Sequence, residues 1–368
     1  MKARITVLVG LVLLVAAPLA GGLIRGLPRA FLELPPTTQY VVHAPFSRPL
    51  FVLFAFLAAV AAALLLRPRW FGFRPFPVPP SSHSALGTQH SAFLPLWAWA
   101  GIALNLVSWT CAWIRPNQLG PLKDHLFFPL WLGYILAVDG LVFRRTGTSM
   151  LVRSPARWLA LFPASAAVWW YFEYLNRFVQ NWWYQGVLRF SALHYVSFGT
   201  LCFATVLPAV FETRDALMSF GWFQTAYRAG PCWKAPGRPV LAALTAAGAL
   251  GLVLLALAPN PMFFMTWLAP LCLLAGSLAL AGAETPFSDL KNGDYRSLFA
   301  LAVAALVCGF FWEMWNFGSL PKWHYTVPYV GAFKVFEMPV VGYTGYLPFG
   351  PICWCLGQAV EVLFAKRR

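Results

Sequence analysis

The sequence predicts an all-α, polytopic integral membrane helical bundle: a single transmembrane domain over 1–368, with about ten transmembrane helices and a possible internal hairpin repeat. Three observations predict it. Of the 368 residues, 60% are hydrophobic and only 11% are charged, whereas soluble globular domains carry about 25% charged residues. Apolar runs close to the bilayer-spanning length of roughly 20 residues recur along the whole chain. Lys and Arg gather at the ends of these runs, the spacing of topogenic charge. The net charge of +15 therefore does not read as a nucleic-acid surface, and no nucleic-acid partner is expected.

The expected spans are 5–24, 50–66, 94–114, 126–143, 158–178, 191–212, 240–258, 262–281, 297–317 and 340–364. In the first, Lys2 and Arg4 precede an apolar core and small residues follow, as in a signal peptide. The core is long for that role, so an uncleaved helix is expected; cleavage would leave nine spans with the same orientation. The second span is short. The last is interrupted by Gly342, Gly345, Pro348, Gly350 and Pro351, residues that an uninterrupted helix disfavours. Stretches 67–93 and 213–239 read as cytoplasmic linkers, with an interfacial helix at "DALMSFGWFQTAY" in the second. Counting Lys and Arg on alternate sides puts 18 of the 27 with the N-terminus and 9 opposite. That excess predicts both termini in the cytoplasm, here of a multi-pass protein in a bacterial inner membrane, with membrane lipids as partners. Nothing in the sequence indicates an oligomeric state.

Two segments resemble each other. "WWYFEYLNRFVQNWWY" and "FFWEMWNFGSLPKWHY" align without a gap so that Glu173 matches Glu313, Asn176 matches Asn316 and Trp183 matches Trp323. Units 158–212 and 297–364 are the expected repeats, and repeated membrane hairpins commonly frame a site at their interface. Glu and Asn three apart share a helix face. A charge well inside a bilayer costs about 2.5–3.5 kcal/mol, so these carboxyls are expected to face protein, ligand or water. Glu173 has Arg177 one turn on, the favourable order for a helix ion pair. Glu313 has Phe317 there instead, and Lys322, His324 or Lys334 would have to reach back from the loop. Glu313 is thus the candidate acid or base, with Glu173, Asn316 and Asn176 completing the catalytic set.

Trp312, Trp315, Trp323, His324, Tyr343, Tyr346, Trp169, Trp170 and Trp183 are candidate substrate-binding residues, since aromatic faces stabilise cations and pack on flat apolar ligands. An interfacial aromatic belt is the alternative. Glu337 is expected to pair with Lys334 in a solvated loop. His43, His125, His194 and His324 fall on the outer side in this topology, but no HxxxH or HExxH pair accompanies them, so no metal or cofactor is expected. Asp139, Glu212 and Glu361 lie near inner helix ends, where snorkelling or pairing to Arg is the common arrangement. The seven cysteines form no CxxC pair and read as small buried hydrophobes. P-loop, dinucleotide and nucleophile-elbow motifs are missing, as is an aspartate-rich diphosphate motif.

The Glu-bearing aromatic helices, the "WHY" at 323–325 and the Pro-bearing last span resemble the small integral-membrane lycopene cyclases and carotenoid-modifying proteins, over about 297–350 and more faintly 158–212. That resemblance implies an isoprenoid ligand and an acid role at Glu313. The paired acidic signature that those cyclases carry after a proline is not evident in "MPVVGY", which puts the implied activity in doubt. The "FFWE-x-WN" and "GYLPFG" segments also resemble a family of bacterial polytopic inner-membrane proteins, which implies no activity. Two functions stay open: an enzyme acting on a lipid or isoprenoid in an aromatic-lined, outward-facing cavity, or a transporter, lipid-binding or structural membrane protein without catalysis.

Overall fold

The computed structural model describes residues 1–28, 33–34, 36, 39–76 and 93–364. Most of the expected linker 67–93 and the C-terminal Lys366–Arg368 cluster lie outside the described residues. Eleven long helices are used here: α1 Lys2–Ile24, α2 Arg48–Leu66, α3 Leu96–Ile114, α4 Phe127–Thr146, α5 Pro155–Val179, α6 Ala192–Phe203, α7 Val206–Met218, α8 Arg238–Leu257, α9 Met265–Leu280, α10 Arg296–Phe317 and α11 Tyr346–Phe364. Among the described residues, seven helical segments are long and apolar enough to cross a membrane: α1, α2, α4, α6 with α7, α8, α10, and 340–364. Helices α3 and α5 are not among the seven, and α9 is apolar but has 16 residues. α2 has no buried residue at all, as expected of a helix whose solvent is lipid.

Small residues set the helix spacing. In the α3–α4 hairpin, a Cβ on Gly101 would lie 2.7 Å from the Gly133 carbonyl oxygen, and one on Gly133 2.6 Å from the Asn105 nitrogen. In the α8–α9 hairpin, a Cβ on Gly248 would lie 2.5 Å from the Leu273 nitrogen. Helices without side chains between them approach backbone to backbone, the packing that membranes favour. α1 packs along α8 and α9, with Gly10 against Ser277 and Gly21 against the Val253 carbonyl.

Two segments depart from regular helix, and each has a physical reason. Between α6 and α7 the helix breaks at 204–205, and Ser165 of α5 repairs it. Its hydroxyl donates to the Phe203 carbonyl (2.5 Å) and accepts from the Leu207 N–H (2.9 Å), so neither backbone group is orphaned inside the bundle. The last span begins with a 3₁₀ turn, Val340–Gly345, and only then becomes α11. Pro348 and Pro351, expected to interrupt the helix, lie inside it; Pro348 sits in the first turn, where its missing N–H removes no bond.

In stretch 213–239 only the last part, 231–239, is exposed along its whole length; the part before it is packed. α7 continues to Met218, a short helix Gly221–Ala226 follows, and Phe223 and Tyr227 are buried with Phe73, Tyr295 and Phe299. The expected interfacial helix is therefore packed into an aromatic cluster.

The tightest approach in the bundle is between α10 and α11, where a Cβ on Gly350 would fall on the Leu301 carbonyl. Gly350→Ala should force these helices apart and destabilise the protein by about 1–3 kcal/mol, read as a lowered unfolding temperature in detergent. Gly357→Ala on the same helix, where a Cβ meets nothing within 4 Å, should leave that temperature unchanged.

Candidate functional site

α5 and α10 end in the same way. Past each helix the chain turns back into a short strand, β1 Trp182–Gln185 or β2 Lys322–Tyr325, whose first residues need hydrogen-bond partners that the helix no longer supplies. An asparagine in the last turn of each helix supplies them. Asn176 Nδ2 donates to the Trp182 carbonyl (2.7 Å) and its Oδ1 accepts from the Trp182 N–H (3.3 Å). Asn316 does the same for Trp323, at 2.8 and 2.9 Å. Each carboxamide acts as a one-residue strand partner.

The strands pair with each other, antiparallel, in the register Trp182↔Tyr325, Trp183↔His324, Tyr184↔Trp323 and Gln185↔Lys322. Alternate residues of a strand share a face, so Trp182, Tyr184, Trp323 and Tyr325 lie together on one side of this ribbon. On that side are the two glutamates. Glu173 Oε1 accepts from Trp182 Nε1 (2.9 Å) and from the Tyr184 hydroxyl (2.6 Å). Glu313 Oε1 accepts from the hydroxyls of Tyr325 (2.8 Å) and Tyr346 (2.9 Å) and, at 3.4 Å, from Trp323 Nε1, which also donates to the Tyr325 oxygen (2.9 Å). The two clusters are wired alike, each from a Glu, an Asn, a Trp and a Tyr. In both, the second carboxyl oxygen, Oε2, is buried without a hydrogen-bond partner.

A cavity of ≈ 420 Å³ lies against the ribbon. Its wall includes the rings that donate to the glutamates, Trp182 and Tyr184 from one cluster and Trp323, Tyr325 and Tyr346 from the other, with Trp169, Trp312, Trp267 and Tyr195. Glu173, Asn176, Glu313 and Asn316 are 0% exposed and are not part of that wall. The two clusters thus meet one aromatic chamber through their rings, and the phenols of Tyr325 and Tyr346 stand between it and Glu313.

Four of the aromatic residues expected at the ligand line the chamber: Trp169, Trp312, Trp323 and Tyr346. The others do not. Trp315 packs among Trp131, Tyr134 and Phe311, Trp170 donates to Thr200 (3.0 Å), and the Tyr343 hydroxyl donates to the Val335 carbonyl (3.3 Å). Trp183 and His324 stack on each other at 4.8 Å on the opposite face of the ribbon. The gap-free match of Trp183 to Trp323 is off by one: Trp182 occupies the position that Trp323 holds. Trp182 stands six positions after Asn176 and Trp323 seven positions after Asn316. The shared signal is Trp-x-Tyr, "WWY" and "WHY", which also marks Tyr184 and Tyr325.

The expected charge partners change as well. The hydrogen bonds to Glu173 come from the strand that follows its helix, and Arg177, the expected ion-pair partner, acts on it through its charge. Lys322 and His324 do not reach Glu313; both bind Glu337, at 2.6 and 3.0 Å, so Lys334 is not its partner. His125 Nε2 lies 2.7 Å from His194 Nε2, and His43 bridges Asn260 and the Gln180 carbonyl. At the other end of the bundle Glu361 pairs with Arg157 (3.0 Å), as expected. Asp139 and Glu212 do not snorkel. Both are fully buried; Asp139 accepts from Trp97 Nε1 and the Leu151 N–H, each at 3.0 Å, and neither oxygen of Glu212 has a hydrogen-bond partner. The seven cysteines are unpaired, and among the described residues no three His, Cys, Asp or Glu side chains gather as a metal site would need.

Asn316→Ala should leave two backbone groups of Trp323 without partners, at about 1–3 kcal/mol for each group that water cannot reach. Asn176→Ala should act in the same direction at Trp182. Differential scanning fluorimetry should show both variants folded and less stable. Glu337 supplies a pH dependence: partial burial pushes its carboxyl up, but hydrogen bonds from Lys322 and His324 outweigh this and hold it below the ordinary carboxylate range. A depressed acid contributes stability above its unfolded value and loses it as pH falls through the lowered one. Hydrogen exchange in 318–339 should therefore speed up selectively below about pH 4, and Glu337→Gln should remove that step.

Comparison with protein-family models, with curated proteins and with solved structures gives no match to this chain.

Proposed function

We propose that this multi-pass membrane protein binds a lipid or isoprenoid molecule in the aromatic chamber and acts on it by proton transfer, with Glu313 as the acid or base. The observation that supports this most strongly is the sealed carboxyl behind two chamber-facing phenols. On this reading a proton passes between Glu313 and a ligand through Tyr325 or Tyr346, residues that line the chamber and whose hydroxyls donate to the carboxyl. The unpartnered Oε2 is the natural seat for that proton, since a buried ionised oxygen without donors is costly; a turn of the carboxyl then presents the protonated oxygen to a phenol, which takes that proton as it passes its own to the ligand. Trp312 and Trp323 would pack on the ligand or stabilise positive charge developing on it. Asn316 positions this group through Trp323 and does not itself reach the ligand.

On this reading the ribbon end faces outward, with both termini in the cytoplasm of a bacterial inner membrane and ten membrane crossings, α6 with α7 counting as one. We also infer an internal duplication. The order of helix hairpin, Glu-x-x-Asn helix, Trp-x-Tyr strand and interrupted helix occurs at 96–218 and again at 238–364, and it accounts for two clusters with the same hydrogen bonds.

A carrier without chemistry is the second reading. Glu212, fully buried and unpartnered beside Asp139, gives the other half of the bundle a group able to take up a proton, as coupled transport requires.

Glu313→Gln separates the two. It keeps the volume and an acceptor oxygen for Tyr325 and Tyr346 but supplies no carboxyl proton. Lipid extracts of cells carrying the wild-type gene should contain a chemically altered lipid that falls by about a hundredfold or more with Glu313→Gln, while folded protein remains in the membrane. Tyr346→Phe should lower it in the same direction. An unaltered lipid co-purifying with both proteins would favour the carrier, and undiminished product from folded Glu313→Gln protein would remove Glu313 from the chemistry.

A further inference from the structure

The chamber is chemically lopsided. Its depth is mostly aromatic and aliphatic, and the donors of Trp182, Tyr184, Tyr325 and Tyr346 there already serve the two glutamates. Its charged residues, Lys123, Asp124 and Lys322, belong to the loops at the ribbon end. Asp124 is claimed twice, by Arg115 on Oδ1 and Arg189 on Oδ2, each at 2.7 Å. Lys322 is held by Glu337, whose other oxygen binds His324. Lys123 is half-exposed and, among the described residues, has no acidic partner within 4 Å. Among the described residues, Arg115, Arg189 and Lys322 are ion-paired here with Asp124 and Glu337, and with Lys123 the positive charges of this group outnumber the negative by two.

From this we infer that the chamber takes an amphiphile with an anionic head, a phosphate or a carboxylate, seated at Lys123 with its hydrocarbon tail among the rings below. The inference rests on the reading of the cavity as a binding chamber and adds the class of ligand. An apolar interior binds the tail without needing polar groups, whereas a low-dielectric rim with unbalanced positive charge attracts an anion and repels a cation. The aromatic wall alone would favour the opposite sign, because ring faces attract cations. The rim decides for the anion because its charges are whole and Lys123 is uncompensated.

The test uses the full-length protein in nanodiscs of zwitterionic lipid and quenching of tryptophan fluorescence by bromine-tipped chains. Four probes share one dodecyl chain and differ in head group: phosphate, carboxylate, alcohol and trimethylammonium. Inorganic phosphate is the fifth. The two anionic amphiphiles should bind at least about tenfold more tightly than the alcohol, as one charge-assisted contact provides, and trimethylammonium should bind worst. Lys123→Gln should erase the preference for the anionic heads while leaving the alcohol's affinity as it was. Inorganic phosphate should not compete at the concentrations at which dodecyl phosphate saturates; competition by it would mean that the rim is a free-phosphate site, and would overturn the amphiphile. If alcohol and anions bind equally, or Lys123→Gln changes nothing, the head-group assignment is wrong although the chamber still binds chains. If no probe enters, the chamber reading fails together with it.

Discussion

One buried carboxyl oxygen receiving an indole N–H and a phenol O–H is the interaction on which this end of the molecule depends, and the chain uses it twice. In a bilayer-embedded bundle a ring with a polar atom is difficult to place, because the ring is at home among side chains and the N–H or O–H is not. A glutamate oxygen at the top of α5 or α10 resolves this for two rings at once. The rings in turn fix the strand that carries them, and the two strands fix each other through their register. The chamber wall is a by-product of that ordering. Its rings are held from behind by hydrogen bonds rather than by packing alone, so the face turned to the cavity can stay unoccupied without the wall collapsing.

The membrane class and most helix positions were legible because lipid imposes a simple rule of long apolar runs. The Glu-x-x-Asn helices were legible for the same reason: a carboxyl beside an amide stands out in a wall of tryptophan. What the sequence hid was short or crossed between segments. β1 and β2 have four residues each and no alternation that distinguishes them from a loop. Their pairing joins Trp182 to Tyr325, far apart in the chain, and no local pattern announces such a contact. The extra residue before Trp323 displaced the alignment and put Trp183 in the place of Trp182. Lys334 fits Glu337 on spacing, but Lys322 and His324 hold that acid instead; at Glu173 ring atoms supply the hydrogen bonds while Arg177 adds its charge. Tyr184 and Tyr325 went unremarked because tyrosine at a membrane interface is ordinary; their significance lies in what their hydroxyls touch.

The two ends of the bundle handle buried acids differently. At the ribbon end Glu173 and Glu313 each have donors on one oxygen only. At the other end Asp139 is satisfied on both oxygens, by Trp97 and the Leu151 N–H, while Glu212 beside it is satisfied on neither. A fully bonded acid is a structural member that ties α3, α4 and the turn at 150–153 together. An acid without partners does no such tying, which sets Glu212 apart from every other carboxyl in the core. The helix break at 204–205, patched by Ser165, opens α7, in which Glu212 and Thr213 are buried.

The ribbon also sets a rule of parity for how this chain can vary. Side chains in a strand alternate faces, so adding or removing one residue within 182–185 or 322–325 would turn both rings of that strand away from their glutamate and bring Trp183 or His324 in. One residue more or less ahead of the strand is harmless, as the six-residue and seven-residue spacings to Trp182 and Trp323 demonstrate, because the asparagine takes hold of whichever residue arrives. Length differences among descendants of this sequence are thus confined to the turns ahead of the strands, and the strands themselves can change only by substitution.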